Sequence, residues 1–375
     1  MDDFGSMAGK PAAAETARDA KKAEQHRKNL EMMKEQFRFG HSKLRKLTLK
    51  KIERLEEADQ SQYHDMIVEF AREDLDPTVK AACLGTIGRL DLEAGRPVLV
   101  EALKEDNEDV RRASVRSISR LEYTPAAPAL MELVKEADFK ENNTLLISAI
   151  QTLGRLKHDD TAFFEGKGED PETHAEVKQV IALYFGTIES ATAKEPLLKW
   201  LRDEDEQPLV RAYAANSLGK LKDPAAIEPL KETLEEIRSI TNPGLRARLG
   251  RLRLNSMMAL LRLGERSVEK EVLSMARDDD ANVRLNTAKQ MGDLQLTEGL
   301  PTLKYMADRD PSRSVKLAAR KAVKAMEPSW EPKWVHTLRK QSETHRSKKV
   351  RREAKRILKK LEAGDIADEE AKKKK

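Results

Sequence analysis

Basic side chains near the C-terminal end are the residues with the clearest chemical capacity. Residues 313–361 hold 17 Lys and Arg against 4 Asp and Glu, whereas the whole chain has a net charge of only +5. Clustered cations bind polyanions such as RNA, DNA or an anionic surface. Alternatively, they only keep a terminal repeat soluble, although acidic residues would serve equally well. The candidate polyanion-binding residues are Lys348, Lys349, Arg351, Arg352, Lys355, Arg356, Lys359 and Lys360.

Four aromatic residues stand in polar surroundings, in a chain with only 4% aromatics. Phe163 and Phe164 lie in the glycine- and acid-rich segment 158–174, which we expect to be a loop. Adjacent exposed aromatics predict a docking site for a protein partner, unless they fold back to replace a missing helix. Trp330 and Trp334 lie in the basic region and are candidates for partner contacts or for stacking on single-stranded bases.

Motifs for catalysis or metal binding are lacking in the sequence. No two of the seven histidines have a spacing such as HExxH, and no glycine-rich phosphate-binding motif occurs. His158, Asp159, Asp160 and His174 favour a solvated loop over a metal site. The single cysteine, Cys83, excludes an internal disulfide framework. We therefore name no catalytic residue, metal ligand or cofactor, and expect no enzymatic activity.

These residues must be positioned by a repeated 13-residue pattern that recurs ten times. The last residues of successive copies are 31 to 42 residues apart. A period in the thirties is typical of a solenoid, in which each repeat contacts only its neighbours. The copies occupy residues 43–55, 78–90, 109–121, 144–156, 176–188, 209–221, 251–263, 282–294, 314–326 and 349–361.

Each copy predicts a helix. Positions 2, 6, 10 and 13 carry a largely apolar stripe whose spacing fits one helix face. Position 6 is small in nine copies, and position 11 is glycine in five. A second amphipathic segment precedes most copies, and turn signals such as Asp76-Pro77 separate the two. The predicted fold is an all-α solenoid, a right-handed superhelix of about ten helical hairpins.

This pattern resembles a HEAT repeat, specifically the short bacterial HEAT-like repeat of phycobilin lyases. The resemblance rests on the acidic residue, the Val-Arg or Val-Lys pair, the small residue and the final Leu-Gly-x-Leu, over roughly residues 43–361. It implies that the basic residue at position 3, present in nine copies, pairs within or between repeats with an acid of the preceding turn. Such acids are Asp76, Asp106 and Asp280. The alternative is a cationic ladder that binds nucleic acid. A bilin lyase would need an aromatic-lined site, and this chain is poor in aromatics.

The chain should divide into four segments. We expect residues 1–13 to be disordered, 14–41 to form an N-terminal helix or half repeat, 42–361 to form the HEAT-like solenoid, and 362–375 to form a charged, flexible tail. The N-terminal helix would either pair with residues 43–55 or project toward a partner. No apolar run is long enough for a membrane span, and no signal-peptide core occurs, so we expect a soluble, cytoplasmic protein.

A solenoid offers an extended surface rather than an enclosed cavity. We therefore predict a non-catalytic scaffold or adaptor whose partner is another protein. The first alternative is binding of nucleic acid or an acidic protein through the basic C-terminal repeats. The second is a HEAT-type enzyme such as a lyase.

Overall fold

The computed structural model describes residues 10–362, with side chains for residues 20–190 and 192–359. Every regular element in this part is helical, which confirms the expected all-α fold. In chain order the α-helices are α1 (Lys10–Phe39), α2 (Ser42–Ile52), α3 (Glu57–Gln60), α4 (His64–Glu73), α5 (Pro77–Leu90), α6 (Arg96–Glu101), α7 (Glu108–Leu121), α8 (Ala127–Glu136), α9 (Thr144–Arg155), α10 (Thr161–Glu169), α11 (Ala175–Ile188), α12 (Lys194–Arg202), α13 (Pro208–Leu221), α14 (Ile227–Ser239), α15 (Pro243–Arg248), α16 (Gly250–Arg262), α17 (Glu269–Met275), α18 (Ala281–Asp293), α19 (Leu300–Arg309), α20 (Arg313–Met326), α21 (Lys333–Thr344) and α22 (Lys348–Glu362).

Each copy of the 13-residue pattern forms the second helix of a hairpin. The first helix precedes it and packs against it, as α4 does on α5, α19 on α20 and α21 on α22. The wide spacing before the seventh copy holds the extra short helix α15. The second helices are α2, α5, α7, α9, α11, α13, α16, α18, α20 and α22.

The described chain divides into two compact units between Pro196 and Leu197, inside α12. In the first unit, the second helices α5, α7, α9 and α11 pack side by side in chain order. In the second unit, α13, α16, α18 and α20 do the same. Each unit therefore buries its apolar residues between neighbouring hairpins, as expected for stacked repeats.

Position 10 of the pattern is buried in the first nine copies. Its exposed fraction is 0% for Ile52, Ile87, Ile118, Leu153, Phe185, Leu218, Leu260, Met291 and Val323, whereas Leu358 in the tenth copy is half-buried. Position 13, predicted as core, is half-buried in copies such as Leu90 and Leu121, because it lies in the last turn of the helix. Position 7 was not predicted, yet Leu84 and Ile150 there are fully buried. Second helices pack between two neighbours, which buries a wider face than the stripe indicates.

The glycines at position 11 allow second helices to approach closely. A Cβ atom on Gly88 would lie 2.6 Å from the side chain of Ser117, and one on Gly219 would lie 2.6 Å from Cα of Ala259. Both contacted residues occupy position 9 of the next second helix. A side chain at position 11 would push the helices apart, so packing accounts for a residue that is unfavourable within a helix.

The hairpins begin and end at capped termini. The side chain of Asn143 accepts hydrogen bonds from the amides of Leu145 and Leu146, at 2.9 and 3.2 Å. Such caps satisfy amides that lack partners within the helix. The residue after the pattern has a left-handed backbone in seven copies, which ends the helix and reverses the chain. These residues are Asp91, Glu122, Lys157, Glu189, Lys222, Gly264 and Gln295.

The N-terminal helix α1 packs against α2. Leu30, Met33 and Phe37 are buried on the face expected from the sequence, and the hydroxyl of Tyr63 donates to the carbonyl oxygen of Leu30 at 2.7 Å. The helix begins at Lys10, so residues 10–13 are helical and not disordered as predicted. Residues 1–9, and the predicted tail after Glu362, lie outside the described part of the chain.

Candidate binding surfaces

The segment that contains Phe163 and Phe164 is not the predicted loop, because it includes helix α10. Phe164 is fully buried, with its ring centroid 4.4 Å from that of Tyr184. The Tyr184 hydroxyl donates to the carbonyl oxygen of His158 at 2.6 Å, and burial raises the pKa of Tyr184 to about 12. Phe164 therefore fills the core that a regular first helix would supply and is not accessible to a partner.

Phe163 is half-buried and lies beside cationic side chains. Its ring packs edge-on against Phe139, with centroids 6.1 Å apart. The Nζ atoms of Lys135 and Lys167 lie 5.7 and 5.9 Å from the ring centroid. Phe163 thus contacts residues of its own unit through much of its surface, and the pair does not form an exposed aromatic site.

Neither the histidines nor the cysteine form a reactive cluster among the described side chains. No group of three or more His, Cys, Asp or Glu residues there has the arrangement of a metal site. His174 instead caps α11, where its Nδ1 accepts from the amide of Glu176 at 3.2 Å. Cys83 is buried, and burial raises the pKa of its thiol. In the described part of the chain, no helix combines the length and hydropathy that crossing a membrane requires.

The basic residues at position 3 join successive hairpins. In five copies the cation binds an acid on, or at the end of, the first helix of the next hairpin. Arg284 is an example, with its Nε 2.8 Å and its Nη2 3.1 Å from the two carboxylate oxygens of Asp310. The five pairs are Arg45–Asp74, Lys80–Glu105, Arg211–Glu236, Arg253–Glu271 and Arg284–Asp310.

The acids of the preceding turns have a different role from the one predicted. Asp76 and Asp280 cap their own helices by accepting from the amides of Thr78 and Asn282, each at 2.8 Å. Hydrogen bonds from Ser42 and Thr78 lower the pKa of Asp76 to about 2. The cap of α7 is Asn107, not Asp106. The ion-pair partners lie downstream because the second helix packs against the first helix of the next hairpin.

Three arginines at positions 8 and 12 do not form ion pairs between hairpins. Arg116 and Arg120 on α7 and Arg155 on α9 line one hollow of about 450 Å³. All three are exposed, and none has an ion pair or side-chain hydrogen bond within the described part of the chain. We call these three residues the arginine face. The sequence analysis missed it, although basic residues recur at position 12 of the first four copies.

The second helices of the first unit carry no acidic residue at the pattern positions that surround the arginine face. In α2, α5, α7, α9 and α11, positions 5, 8 and 12 carry no Asp or Glu. The nearest equivalent cation, Arg89 on α5, is bound to Glu53, with its Nη2 2.5 Å from the carboxylate. Arg89 is therefore neutralised, whereas the arginine face keeps three uncompensated charges.

The predicted polyanion-binding residues lie on the terminal helix α22. Lys348, Lys349, Arg352, Lys355 and Lys359 are exposed, and Arg356 is exposed but lies 3.5 Å from Glu353. Arg351 is half-buried and donates to the carbonyl oxygens of His345 and Arg346, at 2.5 and 3.2 Å. It thus holds the turn before the helix. The side chain of Lys360 lies outside the described part.

The two tryptophans near this helix are not free stacking platforms. Trp334 packs on the small core of the last hairpin, formed by Leu338, Ala354 and Ile357. The guanidinium of Arg320 lies 5.9 Å from its ring centroid. Trp330 is half-buried in the connection before α21. Trp334 therefore packs inside the last hairpin and is not free to stack on a ligand.

A larger hollow of about 730 Å³ lies at the ends of α17 and α19. Its lining includes three arginines and three aspartates. One arginine and one aspartate of this set form the Arg284–Asp310 pair. These opposite charges balance, so this hollow does not favour a charged ligand of either sign.

The comparison with protein families agrees with the repeat pattern. The HEAT-repeat family matches residues 65–153, 169–240 and 243–324. A solved complex of CpcE and CpcF of phycocyanin lyase from Nostoc sp. PCC7120 is 17% identical over 65% of this chain and 92% of that chain, with a TM-score of 0.49. An engineered protein is 17% identical over 89% of this chain and 98% of its own, with a TM-score of 0.39. No curated protein sequence matches this chain. Since the family covers more than half of the sequence, the chain belongs to the HEAT-repeat proteins.

Proposed function

We propose that this chain is a non-catalytic scaffold that binds an acidic segment of a protein partner through the arginine face. The observation that carries the proposal is the convergence of three unpaired guanidinium groups, from two adjacent helices, on one hollow. Exposed charges without partners contribute little to folding, so the fold does not require them there. Stacked repeats commonly present such surfaces for extended binding. We place this scaffold in the cytoplasm, where a free thiol such as Cys83 stays reduced.

The chemistry of the face favours carboxylates over nucleic-acid bases. Positions 5, 8 and 12 of the second helices in the first unit carry no aromatic residue, and base stacking depends on aromatics. A guanidinium instead binds a carboxylate through two parallel hydrogen bonds. Packed helices lie about 9 Å apart, which is about three residues of an extended chain. A partner segment with acidic residues at every third position would therefore reach both α7 and α9.

Affinity capture followed by mass spectrometry tests this proposal. The protein and its Arg116→Glu/Arg120→Glu/Arg155→Glu variant are each used as bait in nuclease-treated extracts. We expect the variant to lose a partner that contains an acidic segment, while its thermal unfolding midpoint stays unchanged. Binding of the purified partner should also weaken as salt is raised.

The matched control reverses three charges on a first helix, in Lys21→Glu/Arg27→Glu/Lys34→Glu. These residues have no ion pair in the described chain and lie on α1. The control should retain the partner. If both variants lose the same partners, or neither loses any, the arginine face is not the binding surface.

A second candidate function is polyanion binding by α22. The observation in its favour is the row of exposed cations on this helix, of which only Arg356 has a carboxylate within 4 Å among the described side chains. Arg352→Glu/Lys355→Glu/Lys359→Glu should abolish salt-sensitive binding of RNA, DNA or acidic vesicles, measured at two ionic strengths. Undetectable binding by the unmodified protein at low salt would leave α22 as a solvated cap.

A further inference from the structure

The second unit contains an arginine that lacks the carboxylate partner found elsewhere in the same unit. Arg262 on α16 donates from Nη1 to Oδ1 of Asn216 and from Nη2 to Oε1 of Gln290, both at 3.2 Å. Its acceptors are thus neutral amides. By contrast, Arg211, Arg253 and Arg284 each bind a carboxylate. The positive charge of Arg262 is therefore held in place without being neutralised by an ion pair.

The amides that hold Arg262 are themselves fixed. Gln290 donates from Nε2 to Oδ1 of Asn255 at 2.8 Å, and buried Asn255 donates from Nδ2 to the carbonyl oxygen of Ala212 at 2.7 Å. This chain of hydrogen bonds spans α13, α16 and α18. A guanidinium fixed in advance loses little conformational entropy when it binds an anion.

Arg262 lines a hollow of about 280 Å³ together with other cations. Lys220, Arg251 and Lys289 also line it, against one acid, Asp293. Burial lowers the pKa of Arg262 despite the attraction of Asp293, so the environment penalises its charge. It nevertheless remains protonated at neutral pH. An anion in the hollow would relieve that penalty.

The geometry points to a site for a phosphate monoester group in this hollow. Arg251, Arg262 and Lys289 against one acid favour a ligand that carries nearly two negative charges and several acceptor oxygens, as a phosphate monoester does near neutral pH. One wall is suited to the rest of the ligand, because Leu254 and the Tyr213 ring line it, and Arg251 is fixed there by its hydrogen bond to the Tyr213 hydroxyl at 3.0 Å. This inference is independent of the arginine face, which lies in the first unit.

Isothermal titration of the full chain tests the site, with phenyl phosphate and inorganic phosphate as probes and acetate at matched ionic strength for comparison. We expect saturable binding of the phosphates and none of acetate. Arg262→Gln should weaken binding by about tenfold or more, the loss expected for a charge-assisted hydrogen bond. Lys289→Gln should weaken it as well and leaves the fold intact, because Lys289 is exposed and has no partner in the described chain. The matched control, Lys270→Gln, removes an exposed cation on α17 and should bind like the unmodified protein.

A phosphoserine peptide provides the second arm of the experiment. Tighter binding of the peptide than of phenyl phosphate would identify the source as a modified side chain of a partner, and the reverse order would identify a small phosphorylated molecule. The inference is overturned if no phosphate probe binds saturably, if acetate binds equally well, or if neither Arg262→Gln nor Lys289→Gln weakens binding.

Discussion

The position-3 cations and the arginine face both lie on second helices, yet they have opposite surroundings. Arg284 is nearly buried, with both carboxylate oxygens of Asp310 in contact. Arg120, at position 12, is exposed beside Arg116 and Arg155 and has no acid in contact within the described chain. The first kind of cation joins successive hairpins, and the second remains available to a ligand. A basic residue in a repeat thus has no fixed role, because its role depends on which element packs against it.

The largest expected effect comes from removing a position-3 cation. Arg284→Met would leave Asp310, which is 5% exposed, without its main partner. We expect a loss of about 3 kcal/mol in the free energy of unfolding, because an uncompensated buried charge is costly. Urea unfolding measures it, and Arg284→Met/Asp310→Asn should recover part of the loss. If Arg284→Met is as stable as the unmodified protein, position 3 is not a structural link.

A substitution at position 11 tests whether close helix packing, as well as the ion pairs, holds neighbouring hairpins together. Gly219→Ala would place a Cβ atom 2.6 Å from Cα of Ala259, so the helices must separate. We expect a loss of about 1–3 kcal/mol, the usual range for overpacking. The control is Gly166→Ala on α10, where a Cβ atom has nothing within 4 Å and should be tolerated. Equal thermal midpoints for the two variants would contradict the packing argument.

Acid should weaken the Arg284–Asp310 pair and leave the arginine face unaffected. Burial opposes the shift, but the hydrogen bonds from Arg284 prevail and lower the pKa of Asp310. The ionised carboxylate therefore adds stability above its unfolded pKa of about 3.9, and this stability is lost as pH falls through the lower folded value. The stability gap between the unmodified protein and Asp310→Asn should shrink as pH falls below about 5 and on through the lowered pKa of Asp310. A constant gap in urea midpoints would assign the pair no role in acid sensitivity.

The smallest expected effect is on the arginine face itself. Arg120→Ala should change the unfolding free energy by no more than about 0.5 kcal/mol, as is usual for a surface residue without partners. Urea unfolding beside Arg284→Met gives the direct comparison. A loss comparable to that of Arg284→Met would show that the face is part of the fold.

Much of the hairpin architecture was predictable because its determinants are local. The positions of the ten second helices, the buried residues at position 6 and those at position 10 of the first nine copies follow from spacing and side-chain type. The candidate sites were less predictable. The sequence suggested that Phe164 is exposed, because its segment lacks a regular apolar stripe. In the structure its ring packs against Tyr184 and is buried without such a stripe.

The sequence by itself determined that the chain is helical, where its second helices lie and that it belongs to the HEAT-repeat proteins, because a helix stripe and a tight turn are set by residues close together in the chain. Only the tertiary structure decided which cations are neutralised. Asp310 is 26 residues from Arg284, and Gln290 is 28 residues from Arg262. Contacts over such separations depend on how one hairpin packs against the next, and composition and periodicity do not specify that packing.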